Sequence, residues 1–431
     1  MELKAKWLLG KNRSCSCVMP GVYRAAAYAK GCVVLFHSPR GCAHVASTMD
    51  MGSQYRGIAE SQLETMDAVP LLSSNMREKD TIFGGTDRLR DAIGYTMKTY
   101  HPEYLVIAAS CVAGVIGDDV AAAAEDAEEE YGVPVIAVTE AGFLGGEYGD
   151  GYRIAMNQMI DRFFKPQPHR KGTALLLGDQ MGPWGQYAQE VGRILHALGY
   201  EAAWQFPGYV PFKEWAQIPS AEIGVVLGGM GQTNSILEDA AGKLEKDFGI
   251  SFMKEPVYPI GWENTRRFIE AIADLTGEKE KGRAFLAEEE QNLSRFVEDL
   301  LPVTEGKQAV IAIGRSPMWY DPTDTIHSLK RLHMKVGPVL LFDNLSESDS
   351  AWMRKKVQSI CAAEVLSMEE GQDGIGKADL LLTTNEILNP GTRQLFIPMV
   401  ALVGASGERH MLRGIYRALC RYGNKGGIAY V

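Results

Sequence analysis

The chain has 431 residues, 46% of them hydrophobic and 23% charged, with a formal net charge of −10 at pH 7; this length exceeds one ordinary hydrophobic core and predicts two or three domains. The acidic balance argues against nucleic acid or an anionic membrane surface as the main partner. The sequence has no apolar run of about 18 residues and no signal-peptide pattern, so we expect a cytoplasmic protein whose thiols stay reduced.

Short apolar, β-branched runs alternate with helical patterns along the whole chain. This alternation is typical of parallel sheets covered on both faces, so the chain is predicted to be α/β, with three doubly wound, Rossmann-like parallel-sheet domains. The predicted strands are Cys32–Phe36, Tyr104–Ser110, Pro134–Thr139, Thr173–Gly178, Ile223–Gly229, Ala309–Gly314, Val339–Asp343, Asp379–Thr384 and Met399–Gly404. The predicted helices include Val120–Tyr131, Gln186–Leu198, Ser235–Phe248, Thr265–Leu275 and Asp349–Ile360.

Two stretches suggest domain boundaries. Lys165–Gly172 is basic, contains proline and is poor in apolar residues, which is typical of a linker. Gly277–Thr304 is a charged helical pattern, and a new strand follows it. We therefore predict three α/β domains, the first at 1–166, the second at 167–304 and the third at 305–431.

Seven cysteines occur, at positions 15, 17, 32, 42, 111, 361 and 420. An odd number in a reducing compartment does not indicate a disulfide framework. Five of the seven lie within the first 111 residues. Clustered cysteines in a cytoplasmic protein favour metal binding or catalysis.

Three of these cysteines occur beside glycine or proline at the ends of predicted elements. Cys17 precedes Pro20-Gly21, which is predicted to break the chain just before a helix, whereas Cys42 and Cys111 each follow a predicted strand. Ligands bind at the carboxyl edge of parallel sheets, and a nearby glycine lets backbone N–H groups approach cluster sulfides. Three unrelated small core residues remain the alternative, because free cysteine is among the most buried residue types.

Four segments together resemble the component 1 family of nitrogenases and nitrogenase-like enzymes. They are CVMPG at 17–21, HSPRGC at 37–42, FGG at 83–85 and SCVAGVIGDD at 110–119. This family contains the dinitrogenase subunits, their cofactor-assembly scaffold, dark protochlorophyllide reductase and relatives. The resemblance is densest over the first 165 residues.

The resemblance implies a role for the three cysteines. Cys17, Cys42 and Cys111 match those by which a component 1 subunit holds its half of an interface cluster, either 4Fe-4S or a P-cluster-like 8Fe-7S cluster. A paired component 1-type subunit, or a second copy of this chain, would complete the site. The family's second motif is usually His-Gly-Pro-x-Gly-Cys, and Ser38 replaces its first glycine while Gly41 is retained.

The family's dinitrogenase catalytic subunit also carries a cysteine in its second domain that anchors a FeMo-type cofactor. This chain has Gly228–Asn234 at that place and no cysteine between 112 and 360, so no ligands for a FeMo-type cofactor are recognised. No G-x-x-x-x-G-K-[ST] motif occurs, so ATP hydrolysis would belong to a separate iron-protein reductase.

The remaining candidates carry weaker signals. Cys15 is a weak alternative ligand, whereas a core position is favoured for Cys32, Cys361 and Cys420. His410 is expected to face solvent or cap a helix. A tight turn is favoured over a ligand loop at 228–231, and helix capping is favoured over acid–base work for Asp118-Asp119. The loop Pro317–Pro322 lines a substrate cavity or packs as an ordinary loop.

Three functional hypotheses follow. The first is a redox subunit that passes low-potential electrons from an ATP-dependent iron-protein reductase to a substrate or cofactor. The second is a scaffold for assembly of a nitrogenase-type metallocofactor. The third is a cluster-free α/β protein that binds a small anion. The sequence assigns no catalytic residue and no substrate.

Overall fold

The computed structural model describes residues 16–48, 68–208, 210–229, 233–317, 319–388, 391–397, 402–421 and 428–430. These residues form two compact units. The first comprises the described residues up to Gly228 together with Ser235–Lys254, and the second comprises Gly229, 233–234 and the described residues from Glu255 onward.

The first sheet of the first unit contains four parallel strands in the order β2-β1-β3-β4. Every residue of β1 and β3 is buried. From β1 the chain moves to one side to form β2 and then to the other side to form β3, so the strand order reverses between β1 and β3. The strands are β1 (Cys32–His37), β2 (Leu71–Ser73), β3 (Tyr104–Ala109) and β4 (Val135–Val138).

Helices connect these strands and cover the sheet. The helix that follows β1 is described over residues 40–48. The elements are α1 (Val18–Ala26), α2 (40–48), α3 (Glu78–Phe83), α4 (Thr86–Tyr100), α5 (Cys111–Ile116), α6 (Val120–Tyr131), a 3-10 turn (Gly142–Leu144) and α7 (Tyr148–Phe163).

Helices α1 and α7 cross with their backbones in direct contact. A Cβ atom added to Gly21 would lie 1.9 Å from the carbonyl oxygen of Tyr148, and one added to Gly151 would lie 2.0 Å from that of Val18. Pro20 and Gly21 therefore lie within α1, and the prediction that they break the chain before a helix is wrong. Proline is tolerated there because the first helical turn has no N–H bond to lose.

The second sheet also belongs to the first unit and has three parallel strands in the order β6-β5-β7. The ring of Trp215 packs 5.3 Å from that of Tyr104 on β3 and 5.6 Å from that of Phe163 on α7, which joins this sheet to the first. The elements are β5 (Arg170–Leu177), α8 (Gln186–Ala197), β6 (Glu201–Phe206), a 3-10 helix (Phe212–Ser220), β7 (Ala221–Val226) and α9 (Thr233–Phe248).

The second unit contains a parallel sheet in the order β10-β9-β8-β11-β12-β13. From β8 the chain adds β9 and β10 on one side and then β11, β12 and β13 on the other, so the strand order reverses between β8 and β11. Its strands are β8 (Gln308–Ile313), β9 (Lys335–Leu341), β10 (Val365–Ser367), β11 (Leu380–Thr383), β12 (Arg393–Phe396) and β13 (Ile428–Tyr430). Its helices are α10 (Trp262–Thr276), α11 (Lys279–Glu298), α12 (Leu301–Thr304), α13 (Pro322–Arg331), α14 (Glu347–Ile360), α15 (Met368–Ile375) and α16 (Gly404–Cys420).

Three parallel sheets flanked by helices confirm the predicted α/β class. The three-domain boundaries remain a prediction. The predicted strand at Met399–Gly404 does not form in its described part, because Val403 makes only an isolated bridge with Ile260 and Gly404 begins α16. Residues 398–401 lie outside the described residues. Within the described part of the chain, no helix is long and apolar enough to cross a membrane.

Candidate functional site

Cys17 is fixed at the point where α1 and α7 meet. It is the N-cap of α1, and it forms an isolated antiparallel bridge with Glu147, just before α7. The backbone N–H of Tyr148 donates to the carbonyl of Ser16 at 3.1 Å. The Cys17 side chain is half-buried. Its position is therefore set by main-chain contacts on both sides.

Cys42 and Cys111 lie beyond the carboxyl ends of β1 and β3, the two neighbouring strands between which the strand order reverses. Parallel sheets bind ligands at such a reversal, because the connecting loops separate there and leave a crevice. Cys42 lies in the first turn of α2 and Cys111 is the first residue of α5, capped by the Ser110 hydroxyl. Cys111 therefore begins a helix just past the end of a strand, where the sequence predicts it.

Gly142 packs directly against Cys111. A Cβ atom added to Gly142 would lie 2.6 Å from the backbone nitrogen of Cys111 and 3.1 Å from its Cβ, and the φ angle of Gly142 is +50°. Only glycine fits both the space and the backbone conformation. The 3-10 turn that begins at Gly142 thus holds the Cys111 loop in place.

The three thiols act on one another electrostatically. Burial raises the pKa of Cys17, and the nearby Cys111 raises it further. The pKa of Cys42 is likewise raised first by burial and then by Cys111 and Cys17. Like charges raise a pKa only at short range, so the structure brings the three side chains to one common region.

This group of thiols is not placed to hold a single metal ion. In the described part of the chain, no three His, Cys, Asp or Glu side chains are placed to hold one metal ion. A cluster spreads its cysteine ligands over different irons, and a 4Fe-4S cluster takes four thiolates. Three cysteines thus supply part of such a set, and their role as ligands remains a prediction. Cys15 lies outside the described residues.

A buried polar network lies at the end of β1, in the HSPRGC segment. His37 Nε2 is 2.8 Å from an Asp118 carboxylate oxygen, and its Nδ1 is 3.0 Å from the Ser74 hydroxyl. The backbone N–H of Gly85 donates to Asp118 at 2.8 Å. A Cβ atom on Gly85 would lie 2.6 Å from Asp118, which explains why the FGG segment ends in glycine.

The Ser38 hydroxyl faces the Cys42 thiol. As a hydrogen-bond partner it counteracts part of the burial that raises the pKa of Cys42. The same hydroxyl donates to the carbonyl of Pro39 at 2.9 Å. Ser38 is fully buried, so this hydroxyl is fixed in place beside the thiol. The residue that departs from the usual family motif thus supplies a polar group at the site.

Large apolar side chains are exposed on the elements that carry the cysteines. Val45 lies on α2 and Val115 on α5, whereas Phe143 and Leu144 lie in the turn that packs on Cys111. Phe143 is 73% exposed and Val115 is 75% exposed. Exposed apolar residues concentrated around one site are typical of a protein–protein interface.

The other candidate cysteines and His410 belong to other elements of the chain. Cys32 is buried within β1. Cys361 is the C-cap of α14 and Cys420 is the last residue of α16, and both are half-buried. His410 is exposed on α16, in agreement with the prediction that it faces solvent.

The remaining predicted positions are the acidic pair at 118–119, the glycine-rich loop at 228–231 and the loop at 317–322. Asp119 caps α6 by accepting from the Ala122 N–H at 2.9 Å, as predicted, whereas Asp118 joins the His37 network. In the glycine-rich loop, the Gly229 N–H donates to Asn234 at 2.8 Å, and residues 230–232 lie outside the described residues. The described residues of Pro317–Pro322 include several that line a cavity of about 230 Å³ in the second unit.

Sequence reasoning missed the pairing of His37 with Asp118 and the contact of Gly142 with Cys111. A weak signal existed for His37, Asp118 and Cys111, since each of them lies in a segment that carries the family resemblance. Each partner is distant along the chain, however, and the pairing depends on how β1, β3 and the following loops meet.

Comparison with known proteins agrees with the resemblance. The family model "Nitrogenase component 1 type Oxidoreductase" matches residues 17–406. Nitrogenase iron-molybdenum cofactor biosynthesis protein NifE of Clostridium pasteurianum is 31% identical over 65% of this chain and 58% of its own length. The nitrogenase molybdenum-iron protein alpha chain of Methanosarcina barkeri is 26% identical over 69% of this chain and 57% of its own length. In both, the match spans less than two thirds of the relative.

Another NifE, from Rippkaea orientalis (strain PCC 8801 / RF-1), is 24% identical over 93% of this chain and 84% of its own length. Among solved structures, nitrogenase Cp1 at pH 5 superposes with a TM-score of 0.63 at 18% identity, covering 94% of this chain and 88% of that one. This last similarity concerns the fold.

Proposed function

The chain belongs to the nitrogenase component 1 type oxidoreductases, and from this membership we propose that it is a redox subunit that holds part of an interface iron–sulfur cluster through Cys17, Cys42 and Cys111. The observation that carries the proposal is the convergence of three half-buried thiols beside the reversal of strand order in the first sheet. A bound iron–sulfur cluster supplies one-electron transfer at low potential.

The protein's own part is to present the thiols in a fixed arrangement. Each of the three lies at the N-terminus of a helix, where the helix dipole favours a thiolate. Burial opposes ionisation of Cys17 and Cys42, so these thiols hold their protons until a cation replaces them. Ser38 adds a hydroxyl beside Cys42.

A partner would complete the ligand set. Three cysteines are fewer than the four that a 4Fe-4S cluster takes, and they fall further short for an 8Fe-7S cluster, which has more irons to ligate. The exposed Val45, Val115, Phe143 and Leu144 support an interface on this face. We propose a paired component 1-type subunit or a second copy of this chain as that partner, and an ATP-dependent iron-protein reductase as the electron source.

Assembly of a nitrogenase-type metallocofactor is the second candidate. It is favoured by the similarity to NifE proteins, which are named nitrogenase iron-molybdenum cofactor biosynthesis proteins. In this role the chain would hold a cluster precursor and hand it to an acceptor, without turnover of a substrate.

Iron and sulfide analysis after anaerobic reconstitution tests the common premise. We expect Cys17→Ala, Cys42→Ala and Cys111→Ala each to lower the bound iron and change the electron paramagnetic resonance signal. Cys361→Ala and Cys420→Ala are the matched controls, because these thiols lie on helices of the second unit. Full iron and sulfide content in Cys42→Ala and Cys111→Ala would rule the cluster site out.

Retention of the cluster separates the two candidates. Protein loaded with 57Fe is mixed anaerobically with an apo-acceptor of the dinitrogenase type and then re-isolated. A redox subunit keeps its label through repeated reduction and oxidation, whereas an assembly scaffold transfers it to the acceptor.

A further inference from the structure

The second unit contains a cavity of about 230 Å³ that the cysteine site does not use. It is lined by the loop after β8 and by residues of α13, α14 and α16. The loop after β8 leaves the sheet where its strand order reverses, between β8 and β11. Ligand sites in parallel sheets concentrate at this position. The volume is below the ~300–1,000 Å³ typical of pockets for drug-sized ligands, so any occupant is small.

Asp324, on the first turn of α13, is one of the residues that line this cavity. The carboxyl lies against Gly261, where an added Cβ atom would be 2.4 Å from Asp324 Oδ1. Among the described residues it has neither a hydrogen-bond donor nor an ion-pair partner. Burial raises its pKa well above the usual range, and the neighbouring Asp321 and Glu408 raise it further while Lys356 lowers it. A carboxyl group without a partner in such a place is costly and is typical of a group that binds a ligand.

The second acid of the cavity, Glu408, is already partnered. The Ser328 hydroxyl donates to both of its oxygens at 3.1 Å, and Arg331 Nε lies 3.7 Å away. Burial raises its pKa to about 7. Asp324 is therefore the group whose charge remains to be matched.

Aromatic residues form much of the remaining wall. Trp319, Tyr320 and Trp352 line the cavity, and the Tyr320 hydroxyl is satisfied by Thr325 Oγ1 at 2.8 Å. Ring faces attract cations. The protein itself places an ammonium group in this way, since Lys356 Nζ lies 5.0 Å from the ring centroid of Trp352.

We propose that this cavity binds a small alkylammonium ion, with Asp324 as its counter-ion and tryptophan and tyrosine rings as its wall. Three acidic side chains line the cavity, Asp321, Asp324 and Glu408, and although Asp321 pairs with Lys356 they disfavour an anion. A metal ion lacks the required ligands, since no group of three suitable side chains occurs in the described part of the chain. This site does not depend on the proposed iron–sulfur cluster, and it adds a second binding site to the one in the proposed function.

Binding of the cation is linked to a proton. The ion stabilises ionised Asp324, so the carboxyl releases its proton on binding and the affinity increases with pH. The charged or titratable groups that face Asp324 are Asp321, Tyr320, Lys356 and Glu408. Lys356 pairs with Asp321 at 3.2 Å, which leaves its charge largely neutralised.

Choline and its uncharged isostere 3,3-dimethyl-1-butanol test the proposal on the full chain, by ligand-observed nuclear magnetic resonance and calorimetry. We expect choline to bind at least about tenfold more tightly than the isostere, and more tightly at pH 8 than at pH 5. Equal binding of the two compounds, no binding of choline, or an affinity that does not change with pH would overturn the proposal.

Variants locate the site. Asp324→Asn keeps the shape of the side chain and is expected to lower the choline affinity at least about tenfold, whereas Asp373→Asn, an exposed carboxyl on α15, is expected to leave it unchanged. Trp319 is 45% exposed, so we expect Trp319→Ala to preserve the fold and to lower the affinity for choline several-fold. Unchanged affinity in folded Asp324→Asn or in Trp319→Ala would refute the assignment.

Discussion

His37 and Asp118 form a buried pair in which imidazole Nε2 lies 2.8 Å from the carboxylate. Their side chains are 0% and 3% exposed, respectively. Because a carboxylate only accepts, a neutral ring satisfies both neighbours when Nε2–H donates to Asp118 and Nδ1 accepts from the Ser74 hydroxyl. The pair links the end of β1, five residues before Cys42, to the loop before α6.

Removing the imidazole is expected to destabilise the first unit. His37→Ala leaves the buried Asp118 with only the Gly85 N–H and the Thr86 hydroxyl as partners. We expect a loss of about 2–4 kcal/mol in the free energy of unfolding, measured by denaturant titration. His196→Ala, at an exposed position on α8, is expected to change it by less than about 0.5 kcal/mol. A loss as small in His37→Ala as in the control would contradict the role of the pair.

The same histidine predicts a dependence of stability on pH. Burial lowers the pKa of His37 below its usual value of 6.5, although Asp118 opposes this shift. The unfolded chain thus takes up the proton first, and stability is lost as the pH falls below about 6.5, by up to ~1.4 kcal/mol per pH unit until the folded ring is itself protonated. Unfolding curves between pH 8 and pH 5 are expected to show this slope in the wild type and a weaker one in His37→Gln. Equal slopes would exclude His37 as its source.

Two glycines with positive φ provide a matched test of the Cys111 loop. Gly142→Ala adds backbone strain and a clash with Cys111, whereas Gly132→Ala, at φ +65° with no atom within 4 Å of the added Cβ, adds strain alone. We expect the backbone strain in each variant to lower the free energy of unfolding by about 1–2 kcal/mol, and we expect Gly142→Ala to lower the amount of bound iron as well. Iron analysis after reconstitution distinguishes them, and full iron content in Gly142→Ala would show that the loop tolerates displacement.

Ser38 is expected to tune the proposed cluster. Its hydroxyl carries one proton, which it donates to the Pro39 carbonyl at 2.9 Å, and we expect that proton to turn to Cys42 once the thiolate holds a cluster; such donors stabilise the more negative, reduced cluster. Ser38→Ala is therefore expected to lower the reduction potential by about 20–60 mV, which corresponds to one hydrogen bond of ~0.5–1.5 kcal/mol for a one-electron couple. Ser348→Ala, at an exposed position in the second unit, is the control for the redox titration. An unchanged or higher potential in Ser38→Ala would argue against the bond.

The exposed apolar residues predict where subunits pair. Phe143→Ser is expected to weaken association of the chain with its partner or with itself by about tenfold or more, since a buried aromatic side chain at an interface contributes at least ~1.4 kcal/mol. Leu388→Ser removes an equally exposed apolar residue, 82% exposed, from the second unit and is expected to have no effect. Sedimentation equilibrium measures the association constant of each variant, and identical constants for Phe143→Ser and Leu388→Ser would place the interface elsewhere.

The sequence predicted the fold class and the central strands, because runs such as Tyr104–Ala109 are long, apolar and buried on both faces. Short edge strands such as Leu71–Ser73 and Val365–Ser367 were missed, since three residues give no periodic signal. The glycine and proline of α1 predict a break in the chain, whereas the close contact of α1 with α7 requires that glycine within the helix.

Only part of the candidate site was accessible from the sequence. The three cysteines and their strand-end positions followed from local patterns, whereas His37–Asp118 depends on contacts across 81 residues. The cavity around Asp324 is lined by residues from several separate segments between Gly229 and Met411, and no single segment predicts it.

The crossing of α1 and α7 through Gly21 and Gly151 has a consequence for sequence drift. Backbone touches backbone there, so no side chain lies between the two helices to be exchanged for a larger or smaller one. The separation between Cys17 and the start of α7 is thus set at this crossing by main-chain dimensions and not by the size of a side chain. Homologous chains can therefore repack the surrounding core extensively and still keep Cys17 in register, and the two glycines are the positions at which such freedom ends.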